Sequence, residues 1–97
     1  MTIWKYDLPI RDEGHAVGWD GAYRLTMPVG ARPLSVGVQA GKAVMWALVD
    51  EDAPLALKTF SIVATGRPAP SRAESRFIGT LELAGGGIIL HFFEQAS

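Results

Sequence analysis

The stretch Ala43–Asp50, AVMWALVD, constrains the fold more than any other part of the chain. Alternate residues of a strand point to opposite faces. Val44, Trp46 and Leu48 then share one face, and Met45, Ala47 and Val49 the other. Both faces are apolar, so this strand must be covered on both sides and belongs in the middle of a sheet. Ile88–Phe93 repeats the pattern, with Leu90 and Phe92 on one face and Ile89, His91 and Phe93 on the other. Two such strands call for either a curled sheet with loops over its second face or an interface between copies of the chain.

The remaining segments read as strands of ordinary alternation. Thr2–Leu8 places Trp4, Tyr6 and Leu8 together, and Pro9 ends the strand or marks it as an edge. Ile10–Gly21 is polar, glycine-rich and carries His15 and Trp19, which reads as a long exposed loop. Ala22–Met27 follows, then the Pro28-Val29-Gly30 turn. Leu34–Ala40 points Leu34, Val36 and Val38 inward, and a Gly41-Lys42 turn pairs it antiparallel with the central strand. After the acidic loop Asp50–Pro54 come Leu57–Thr65, anchored by Phe60 and Ile62, the loop Gly66–Ser75, and Arg76–Leu83. No helical period reaches ten residues. About seven short strands separated by turns predict an all-β fold, a single small antiparallel β-sandwich or barrel over residues 1–97. Trp4, Trp46, Leu48, Phe60 and Phe92 are its predicted core anchors.

Composition narrows the function classes. The 97 residues are 48% hydrophobic and 20% charged, a globular balance, with a net charge of −1. A near-neutral chain without a basic stripe argues against nucleic-acid binding. The absence of cysteine removes disulfides, thiol catalysis and cysteine-rich zinc sites, and fits a cytoplasmic location. The N-terminus lacks the charged and apolar regions of a signal peptide. No apolar run approaches the ~20 residues a membrane helix needs.

Few residues carry chemistry. His91 is a lone mid-strand histidine, and His15 has only Asp12 and Glu13 beside it, too little for a metal site. Asp50, Glu51 and Asp52 lack the alternation of a calcium loop and read as a solvated turn. Gly85-Gly86-Gly87 precedes a strand, not a helix, and so makes a turn, not a phosphate loop. No nucleophile with an evident base and no cofactor fingerprint is present, so no enzyme, cofactor or metal is expected. The least ordinary stretch is 66–76, where Arg67, Arg72 and Arg76 could recognise a phosphate or carboxylate. Trp19 offers a second binding residue, of the type enriched at binding centres.

Several motifs together resemble a family of small phage and prophage proteins of uncharacterised role. They are Ile3-Trp4-Lys5-Tyr6, Met27-Pro28 before Gly30-Ala31, Trp46-Ala47-Leu48-Val49-Asp50 followed by Asp52-Ala53-Pro54, the Thr65-Gly66-x-Pro68 turn, Ile78-Gly79-Thr80, and His91-x-Phe93-Glu94. The stretch Ile10–Gly21 is longer than the family pattern, and Arg67 stands where histidine is common. The resemblance implies a phage accessory context, hence interference with a host system, a defence component among the options. Together with the two loops read above, 10–21 and 66–76, the leading expectation is a non-enzymatic protein that binds a host protein in the host cytoplasm through them. One alternative is an oligomer that sequesters a nucleotide-like anion. Another is a virion or structural accessory protein. A homodimer is compatible with each.

Overall fold

The computed structural model describes residues 1–11, 21–71 and 75–95. Among these residues seven strands run antiparallel: β1 (Thr2–Arg11), β2 (Gly21–Pro28), β3 (Arg32–Gln39), β4 (Lys42–Val49), β5 (Leu55–Ala64), β6 (Ser75–Leu83) and β7 (Ile88–Gln95). They form two sheets, one ordered β1-β4-β3 and the other β2-β5-β7-β6. The extents of 40 × 32 × 16 Å suit two layers packed about 10 Å apart. The architecture is an all-β sandwich. The edge strands β3 and β6 also meet. A Cβ on Gly79 of β6 would lie 3.0 Å from Val36 Cγ2 of β3, so glycine permits that approach.

One hydrophobic cluster joins the layers. The first sheet contributes Leu8, Ile10, Met45 and Val49, and the second contributes Phe60, Ile62, Leu83 and Phe92, all buried. Each such side chain contributes roughly 1.5–3 kcal/mol on leaving water. Trp4 is half-buried and packs against this cluster.

Two predicted anchors lie elsewhere. Trp46 and Leu48 are half-buried on the outer face of β4, while Ala43, Met45, Ala47 and Val49 fill the inner face. Register decides this. Trp4 pairs with Ala47 and Tyr6 with Met45, so the apolar face of β1 adjoins that face of β4. Lys5 and Asp7 fall beside Trp46 and Val44. An indole inside would also overfill a layer that already holds two phenylalanines. Trp46 instead lies over Gly37, where a Cβ would come within 2.8 Å of its ring. Val44 is only 1% exposed, although it faces outward. Lys5 Nζ donates to Gln39 Oε1 at 2.7 Å, a strap that crosses β4 at Val44.

The turns follow from local chemistry. Ala31 N donates to Pro28 O, with Gly30 at φ 81°, the positive angle required at the third position of a type II turn. The β3–β4 hairpin turns at Ala40-Gly41, both with positive φ, one residue earlier than the Gly41-Lys42 turn the sequence suggests. A two-residue type I′ turn matches strand twist, and here it outweighs alanine's reluctance to adopt that angle. Leu34 falls in a register shift between Pro33 and Ser35 and is exposed, not inward. Pro9 lies within β1, which is an edge strand, where proline removes no ladder bond.

Candidate functional site

The outer face of the four-stranded sheet is roofed in part by the segment 65–71. A turn launches that segment. Arg67 N donates to Ala64 O at 3.1 Å, and Gly66 takes φ 92° at the third position of the turn. Pro68 and Pro70 then keep the backbone extended. At the far end, Ser75 Oγ donates to Ser71 O at 2.6 Å and ties the segment to the start of β6. Two depressions result. One, of about 460 Å³, is walled by Ala22, Ser61, Val63, Arg67, Pro68 and Pro70. The other, of about 220 Å³, lies between the same segment and His91 and Phe93 of β7.

Cross-strand register assembles the floor. Ser61 sits opposite Phe93, and Val63 opposite His91. Phe77 and Thr80 of β6 extend the same two rows. The Phe77 and Phe93 rings meet edge to face, with centroids 5.5 Å apart. Gln95 Nε2 donates to Ser61 Oγ at 2.7 Å. His91 is held on both sides, by Thr65 Oγ1 at 2.8 Å from Nε2 and by Thr80 Oγ1 at 3.0 Å from Nδ1. The hydroxyl of Thr65 reaches the ring because Thr65 continues the ladder of β5 along β7, its N donating to Ile89 O at 3.2 Å, two residues beyond Val63, which pairs with His91.

The predicted site residues separate. Arg67 lines the groove. Arg76 does not join it. Its register with Glu94, which itself pairs with Phe60, puts it on the opposite, core-facing side of the sheet. There its Nη2 lies 2.8 Å from Glu94 Oε1, and Lys58 Nζ lies 2.5 Å from Glu94 Oε2. This trio closes the rim of the sandwich. Trp19, His15 and Arg72 lie outside the described residues. The acidic turn is closed locally, with Asp52 N donating to Asp50 Oδ1 at 3.0 Å. Among the described residues, no group of three or more His, Asp or Glu side chains converges as metal ligands would.

Sequence reasoning missed Thr65 and Thr80 as the partners of His91. The pairing of β6 with β7 carries Thr80 to His91, and no local pattern announces it. The proline pair at 68 and 70 was the available signal for a rigid roof.

A family model described as Domain of unknown function (DUF7352) matches residues 1–97. The chain belongs to this family. No curated protein and no solved structure matches it. Thr65 and Gly66 of the turn and His91 and Phe93 of β7 line one depression together. Within the described residues, no helix is long and apolar enough to cross a membrane.

Proposed function

We propose that this protein is a non-enzymatic phage or prophage accessory protein that binds a host protein in the cytoplasm of the host cell. The contact surface is the groove beneath segment 65–71. The observation that carries this reading is the state of His91. Both of its ring nitrogens are engaged by threonine hydroxyls, so the reactive side chain of the groove is used to fix the roof to the sheet. What the groove then offers is shape and apolar surface with Arg67 in its wall, the composition of a recognition site. A host component of the defence machinery fits the resemblance to phage proteins, and that step is analogy. Sequestration of a nucleotide-like anion draws less support, because Arg76 is bound to Glu94 on the other side of the sheet.

The test is affinity capture from a host lysate with the full chain as bait, followed by native mass spectrometry of the eluate. Two variants accompany it, Arg67→Ala and Ala69→Arg. Ala69 is exposed and lines both depressions, so an arginine there fills the groove without entering the core. The expected result is a stoichiometric host protein that the folded variants retain at least about tenfold more weakly, the usual scale of a lost central contact. Equal capture by all three forms removes the groove from the interface. A retained mass of nucleotide size, without protein, replaces this reading with sequestration.

A further inference from the structure

From the outer face of the three-stranded sheet we infer a second contact surface, whose occupant is another copy of this chain. An antiparallel sheet that faces water shows polar residues there. This face has exposed Lys5, Ser35 and Gln39, yet it sets half-buried Trp46 and Leu48 at its centre, with Ile3, 59% exposed, beside Leu48. Tryptophan is among the residues most enriched at interface centres.

Charge placement specifies the partner. Asp7 pairs with Val44 at one end of the face on β1, and Arg32 pairs with Leu48 at the other end on β3. The two occupy opposite corners, with Trp46 between them. Both are exposed, and neither has an ion-pair partner among the described residues. A two-fold axis lying in the plane of the face, perpendicular to the Asp7–Arg32 diagonal, stacks two copies face to face. That operation sets Asp7 of each copy against Arg32 of the other and lays Trp46 on Trp46. The strands then cross steeply, as in orthogonal sheet packing. The contact is isologous, so it closes at two copies.

Size sets the strength. Eight residues of each of three strands cover roughly 14 by 27 Å. That is roughly 400 Å² per copy, about half of a standard interface. The dimer is therefore weak, dependent on concentration, and sensitive to salt through its two ion pairs.

Sedimentation equilibrium of the full chain over a wide concentration range tests this, with circular dichroism to verify folding. The variants are Asp7→Arg, Arg32→Asp and the two combined. Each single reversal places like charges in contact twice and is expected to weaken the dimer by about tenfold or more. The combined reversal restores opposite charges across the two-fold and is expected to recover the affinity. A chain that stays monomeric at every concentration overturns the inference. So does a dimer that tolerates the single reversals, or one that the combined reversal fails to restore.

Discussion

Tyr6 shows how one atom can work against the fold that holds it. Its ring lies on the inner face of β1, against the core cluster, and stands 6.5 Å from the Trp4 ring. Its hydroxyl is buried without a hydrogen-bond partner among the described residues. Burial pushes its pKa above the usual tyrosine value, as it does for Tyr23. The folded chain therefore releases this proton at a higher pH than the unfolded chain. Stability is intact below about pH 10 and falls as pH rises through the raised value. Tyr6→Phe keeps the ring and removes the orphan oxygen. We expect it to leave stability unchanged or raise it by about 1 kcal/mol near neutrality, and to move alkaline unfolding to higher pH. A urea melt and a pH titration by circular dichroism read both effects. A loss above about 1 kcal/mol would assign the hydroxyl a hidden partner.

At the scale of elements, the hairpin between β3 and β4 concentrates a local conflict. Ala40 takes φ 50°, a left-handed angle that costs an ordinary residue roughly 1–2 kcal/mol. Gly41 beside it takes φ 76° without strain. Asparagine tolerates the angle, and Asn-Gly is the preferred type I′ pair. Ala40→Asn should stabilise the protein by about 1 kcal/mol in thermal and chemical melts, and a destabilisation would refute the turn assignment. The segment 65–71 applies the same physics to the candidate site. One glycine and two prolines fix its course, and one threonine pins it to His91. These residues are visible in the sequence, but the face of the sheet they cover is not.

For the whole molecule, the informative comparison is between neighbours in β4. Met45 is 1% exposed between the sheets, and Trp46 lies on the outside. Met45→Ala should cost about 2–5 kcal/mol in a chemical melt. Trp46→Ala should cost less at concentrations where the chain is monomeric, although it removes the larger side chain. The reverse order would turn β4 over. The all-β class, the seven strands and the antiparallel pairing of β3 with β4 were legible from the chain, because period-two alternation and turn residues are local signals. The burial of Phe60 followed from the same alternation, whereas that of Phe92, on a strand apolar on both faces, was decided by its pairing with Ile62. The choice of face for β4 did not follow from alternation either, since both of its faces are apolar and only its register with β1 separates them. The division of Arg67 from Arg76 was equally hidden. It depends on which residue of β7 stands opposite Arg76, a long-range pairing, and that pairing turns an apparent cluster of cations into one groove residue and one rim ion pair.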